Sequence, residues 1–123
     1  GDRSSVVQMM KACRTALSED NSILLFPEGT RSPTGRLRAF KTGAFDIARE
    51  ARRPILPIAL QGTHDALPKR GFVLRGRHPI RVTVLEALPY ASFANESSEQ
   101  IAERVRARIA AQLEEKDEPP PVA

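Results

Sequence analysis

The sequence predicts an α/β fold: a mixed, largely parallel sheet flanked by helices. Three observations lead to it. Residues 23–26, Ile-Leu-Leu-Phe, are apolar without a polar break, the pattern of a strand covered on both faces in the interior of a largely parallel sheet. Residues 54–60 carry a second, mostly apolar run through Ile55, Leu56, Ile58 and Leu60. Around these runs, apolar residues recur at helical spacing on otherwise polar segments. At 123 residues and 41% apolar content, the chain is one domain at most, with a modest core.

In chain order, Val6, Met10, Cys13 and Leu17 predict an amphipathic helix over residues 5–18, opened by a capping box of Ser5 and Gln8. Glu19, Asp20 and Asn21 turn the chain into the strand at 23–26, which Pro27 ends because it has no N–H for a ladder. Pro33 and Gly35 mark a loop, and a second helix runs from Thr42 to about Arg52. The strand at 54–60 contains Pro57, so an edge position or a bulge is expected there. Residues 67–79 interleave Lys69, Arg70, Arg75 and Arg77 with Phe72, Val73 and Leu74, which suits either an anionic interface or a basic hairpin. Residues 80–85 alternate, as a strand exposed on one side does. Ser97 and Gln100 form another capping box ahead of a helix to about Glu115, with Ile101, Val105, Ile109 and Leu113 as its apolar stripe. The proline-rich residues 117–123 are expected to be a disordered tail.

Charge is unevenly spread. Residues 1–81 hold 15 Lys/Arg against 7 Asp/Glu, whereas residues 82–123 hold 4 against 8. The basic part favours an anionic partner: phosphorylated lipid, coenzyme A, an acidic carrier protein, membrane headgroups or nucleic acid. Few aromatics are available for base stacking, so nucleic acid is not expected. One cysteine, Cys13, excludes an internal disulfide and reads as a packing residue. No apolar run is long enough to cross a bilayer, so any membrane contact of this segment is expected to be peripheral. No residues stand at metal-ligand spacing, and neither a metal nor a cofactor is expected.

The candidate site lies just past the first strand, where open α/β sheets usually bind ligands. Arg31 offers a planar fork of donors suited to phosphate, and Thr30 and Ser32 add hydroxyls. Gly29 permits a tight turn or close approach of the backbone. Glu28 would repel an anion directly, so it either orients Arg31 or accepts a hydrogen bond from a ligand hydroxyl. Lys41, beside the start of the second helix with its free N–H groups, could complete an anion pocket. The competing reading is an Arg–Glu pair that only holds a turn. His64 and Asp65 are adjacent, a poor geometry for a catalytic pair, so His64 is read as a loop residue.

The string Phe26, Pro27, Glu28, Gly29, Thr30, Arg31, Ser32 resembles the phosphate-binding block of the glycerolipid acyltransferases, the 1-acylglycerol-3-phosphate (lysophosphatidic acid) acyltransferase family. Leu56, Pro57, Ile58 and Ala59, about thirty residues later, resemble a second block of that family in the expected order. The resemblance implies a glycerol-3-phosphate acyltransferase-like fold and transfer of an acyl group from acyl-CoA or acyl carrier protein to a lysophospholipid, giving phosphatidic acid. It assigns Glu28, Gly29, Thr30 and Arg31 to substrate binding, with Phe26, Pro27, Ser32 and Pro57 in support, and Lys41 joins the substrate-binding group on its charge beside the start of the second helix.

The family's catalytic dyad is a His followed five positions later by Asp, and this chain has none: Lys69 follows His64 at that distance, and Thr83 follows His78. The resemblance therefore places the dyad upstream of Gly1. Residues 1–116 would be the C-terminal portion of an acyltransferase domain, inactive alone, in a protein at the cytoplasmic face of a membrane. The alternative is a noncatalytic module that binds anionic lipid or nucleic acid.

Overall fold

The structure is a computed structural model that describes residues 3–63 and 79–116. Helix α1 (Arg3–Ser18) is followed by α2 (Gly43–Ala51), strands β1 (Ile58–Gln61) and β2 (Arg81–Val84), a 3-10 turn (Tyr90–Ser92) and α3 (Ser98–Lys116). The two strands pair antiparallel, with Ile58 opposite Val84 and Gln61 opposite Arg81. Their ladder is prolonged by a bridge in which Ile55 and Leu88 exchange both backbone hydrogen bonds, at 3.0 and 2.7 Å. Between bridge and ladder sits Pro57, which cannot donate but accepts the Leu85 N–H at 3.0 Å. The regular strand begins only after this proline, so it is shorter than the apolar run of 54–60.

One face of this sheet carries the core. Phe45 from α2, Ala59 from β1, Leu88 and Phe93 from the segment after β2, and Ile101, Ala102, Val105 and Ile109 from α3 form one buried cluster. The α3 stripe follows the predicted 3.6-residue period, and Leu113 packs at its end. Gln61 Nε2 donates to the Leu113 carbonyl at 3.2 Å, tying β1 to the last turns of α3. At the other end, buried Ser98 donates to Asp46 of α2 and accepts from Arg49 Nη1 at 3.3 Å.

Helix α1 packs on α2. Cys13 and Ile47 are buried, and the Met10 sulfur lies 3.5 Å from where a Cβ on Gly43 would stand. Arg14 forms an exposed ion pair with Glu50 at 2.6 Å. Both helices end on a left-handed residue, Asp20 (φ 63) and Arg52 (φ 55). In α2 the N–H groups beyond the end return to late carbonyls, Arg53 to Ala48 at 3.1 Å, which satisfies groups the helix would leave open.

Several expectations require correction. Residues 23–26 pair with no strand among the described residues; Ile23 and Leu25 are half-buried while Leu24 and Phe26 are 69% and 68% exposed. An unbroken apolar run thus has one covered side here. The described sheet is antiparallel where a largely parallel one was expected. Ser5 lies inside α1, which starts at Arg3, so the Ser5/Gln8 box does not begin the helix. The alternation expected over residues 80–85, with one side exposed, is present and needs no correction: Val82 and Val84 take the exposed side (59% and 60%) while Leu85 beyond the strand packs on the core. The interleaved segment 67–79 lies outside the described residues except for Pro79, and His64 and the tail 117–123 lie wholly outside them.

Candidate functional site

The segment after residue 26 is a tight turn set by its own sequence. Gly29 N–H donates back to the Phe26 carbonyl at 3.1 Å, with Pro27 and Glu28 between them. Gly29 has φ +78, a conformation that other residues adopt at a cost. The Pro27 carbonyl accepts the Lys41 N–H at 2.8 Å, so the turn is held against the chain just before α2. Lys41 then lays its side chain over the glycine: a Cβ at position 29 would stand 2.8 Å from both Lys41 Cε and Nζ. Gly29, Lys41 and the start of α2 are therefore brought together.

Thr42 caps α2 without a side-chain hydrogen bond, and its carbonyl accepts from Phe45 and Asp46 at 3.0 and 2.9 Å. The earliest N–H groups of the helix thus have no side-chain acceptor, and the positive end of the helix dipole stands two residues from Lys41.

Glu28 does not orient Arg31. Its Oε2 accepts the backbone N–H of Arg38 at 2.9 Å, closing residues 28–38 into a loop. Within that loop Ser32 and Thr34 share a weak hydroxyl contact at 3.4 Å, and Thr34 Oγ1 accepts the Arg36 N–H at 3.4 Å. Thr30 and Arg31 are exposed and have no partner among the described residues. Arg31, Arg36, Arg38 and Lys41 thus form an exposed basic group on or beside one short loop, with Glu28 as the only carboxylate in residues 28–41. Such a group favours a dianion such as a phosphate monoester.

The other expected residues have quieter positions. Phe26 is exposed and Ser32 half-buried. Pro57 is buried in the sheet, where its visible role is to interrupt the ladder, and no hydrogen bond joins it to the loop. A concavity lined by Asp46, Arg49, Glu50, Tyr90 and Ala94 runs along α2 and includes none of the loop residues. No three His, Cys, Asp or Glu side chains among the described residues are grouped to hold a metal ion, and no described helix is long and apolar enough to cross a membrane.

Two participants escaped the sequence. Arg38 reaches Glu28 through its main chain, which no side-chain pattern reveals. Arg106, on α3, donates from Nε to the Arg38 carbonyl and from Nη2 to the Leu37 carbonyl, both at 3.0 Å. Nothing local signals a contact 68 residues away.

Comparison with known proteins gives the same direction as this geometry. Residues 1–61 match the acyltransferase family model. The chain is 34% identical over 114 residues to a 1-acyl-sn-glycerol-3-phosphate acyltransferase of Chlamydomonas reinhardtii, covering 91% of this chain and 32% of the relative. It is 33% identical over 116 residues to the enzyme of that name from Cocos nucifera, covering 94% of this chain and 37% of the relative. The crystal structure of the 1-acyl-sn-glycerophosphate (LPA) acyltransferase PlsC from Thermotoga maritima superimposes with a TM-score of 0.74 at 26% identity, over 89% of this chain and 44% of that one. The chain spans about a third of the length of these curated relatives.

Proposed function

This chain belongs to the glycerolipid acyltransferase family, and from that premise we propose that its full-length protein moves an acyl group from acyl-CoA or acyl carrier protein to the free hydroxyl of 1-acylglycerol-3-phosphate. The products are phosphatidic acid and the free thiol. In this reading residues 26–41 hold the acceptor's phosphate: Arg31 as the forked donor, Lys41 and the start of α2 as the second positive flank, and Gly29 as the point where the backbone comes closest. The observation that carries it is the exposed guanidinium of Arg31, unpartnered among the described residues, on a loop whose neck is closed by Glu28 and whose far side is held against α2 by Lys41.

Acyl transfer to a hydroxyl requires a base to take the hydroxyl proton as its oxygen attacks the thioester carbonyl, and the thiolate that leaves must be reprotonated. We assign that base, a His oriented by an Asp, to residues outside this chain, because the chain lacks the family's His-to-Asp spacing. What this chain contributes is placement. A phosphate held at a fixed site sets the distance of the glycerol hydroxyl from the base, converting an encounter into an aligned reaction. The proposed reaction uses no cofactor, and the proposed location is the cytoplasmic face of a membrane, where the lipid acceptor resides.

The test is steady-state kinetics of the full-length enzyme with Arg31→Ala. Loss of a charge-assisted contact of about 2 kcal/mol should raise the acceptor KM, or lower kcat/KM for the acceptor, by about thirtyfold while leaving the donor KM unchanged. Unaltered acceptor kinetics would refute the assignment.

A further inference from the structure

We infer that Arg106 is a positioning residue for the acceptor site, acting through the backbone of the loop and touching no substrate. This rests on the reading of residues 26–41 as the phosphate site.

The geometry forms a relay of three bonds. Arg106 projects from the middle of α3, half-buried one turn after the buried Ala102 and at the flank of the stripe of Ile101, Val105 and Ile109 that is buried in the core. Its guanidinium grips two consecutive carbonyls, Leu37 and Arg38, at 3.0 Å each. A planar fork suits two adjacent acceptors, and an ammonium group cannot reproduce that arrangement. The peptide plane following Arg38 is thereby fixed from the core side, while the N–H of the same residue donates to Glu28 Oε2 at 2.9 Å. Leu37 adds its side chain to the core cluster. Residue 38 is thus held by its carbonyl from α3 and by its N–H from Glu28, and those two holds define the neck of the loop that carries Arg31.

The rest of the loop has no comparable support. Among the described residues, the hydrogen bonds of residues 30–36 are hydroxyl contacts at 3.4 Å, at the weak end of the range. Its orientation therefore depends on its two ends. One end is the Pro27 to Lys41 bond, set within the motif itself, and the other is Arg106. A cation on a core helix so placed does not need to meet the phosphate to control it, since it sets where Arg31, Arg36 and Arg38 sit relative to Lys41.

Full-length Arg106→Ala, Arg106→Lys and Arg31→Ala should be assayed for acceptor KM, donor KM and kcat, with Arg108→Ala, an exposed neighbour on α3, as the control for lost helix charge. The expected result is an acceptor KM raised by about tenfold in both Arg106 variants, with donor KM and kcat within about twofold of the parent and Arg108→Ala unchanged. Failure of Lys to restore the acceptor KM separates the fork from the charge. Parental kinetics in Arg106→Ala overturns the inference. So does a loss confined to kcat or to the donor KM, and so does failure of both variants to fold, which would make the contact a general structural one. If Arg31→Ala shifts the acceptor KM and Arg106→Ala does not, the positioning role alone is lost; if neither does, the phosphate site itself is misplaced.

Discussion

Glu28 and Arg38 are joined side chain to main chain: the carboxylate takes the Arg38 N–H at 2.9 Å, and residues 28–38 are closed into a loop by that bond. A carboxylate beside four cations is used here to shape the backbone that presents them.

A consequence concerns the neutral replacement. Glu28→Gln keeps an oxygen able to accept the Arg38 N–H, whereas Glu28→Ala keeps none. Hydrogen exchange on the full-length protein should show Arg38 protected in the parent and in Glu28→Gln, and exchanging faster in Glu28→Ala. Equal exchange in all three would mean that the bond does not close the loop in solution.

Gly29 is constrained twice, by its φ of +78 and by the Lys41 side chain over it. Gly29→Ala should therefore cost about 1 kcal/mol from the left-handed backbone, with displacement of the flexible lysine end in addition. Gly29→Asn should cost less, because asparagine tolerates that conformation better. Denaturant unfolding of both variants measures the difference, and alanine at least as stable as asparagine would contradict the constraint.

The start of α3 is a reciprocal cap: Gln100 N–H donates to Ser97 Oγ at 3.1 Å, and Ser97 N–H donates to Gln100 Oε1 at 2.9 Å. Ser97→Ala should destabilise the protein by about 1 kcal/mol, within the usual span for such caps. Since α3 supplies much of the core and carries Arg106, its unfolding midpoint should fall without a change in acceptor KM while the protein stays folded.

The Arg14–Glu50 pair is exposed, and the hydrogen bond and charge of Glu50 raise the Arg14 pKa. A raised cationic pKa contributes stability that is complete below the unfolded-state value and lost only as pH rises through the folded-state value, which here lies above the ordinary guanidinium range. Arg14→Ala should accordingly lower the melting temperature slightly and by the same amount at pH 6 and pH 9, and 1 M salt should shrink the effect. A decrement that grows between those pH values would show that another group titrates with the pair.

Much of the fold was legible because its information is local. The α3 stripe and its cap follow from spacing along one helix, and the limits of α2 follow from Thr42 and Arg52 flanking a short apolar pattern. The turn at residues 26–29 is legible for the same reason, since Pro27 and Gly29 restrict their own backbone angles. Strand pairing was not. Residues 23–26 and 58–60 are both apolar, yet only the second run is in the described ladder, because hydropathy reports a tendency to be covered and not which chain does the covering.

By itself the sequence determined which groups stand on the loop: the string of residues 26–32, its surplus of positive charge, its glycine and its proline are facts of composition and local geometry. Only the tertiary structure decided how that loop is held. Glu28 turned out to bind Arg38 and not Arg31, and Arg106 arrived from a helix 68 residues further along. The reason is that a main-chain N–H or carbonyl is the same at every position, so its choice of partner is set by what packing brings within 3 Å, and packing is a property of the whole folded chain.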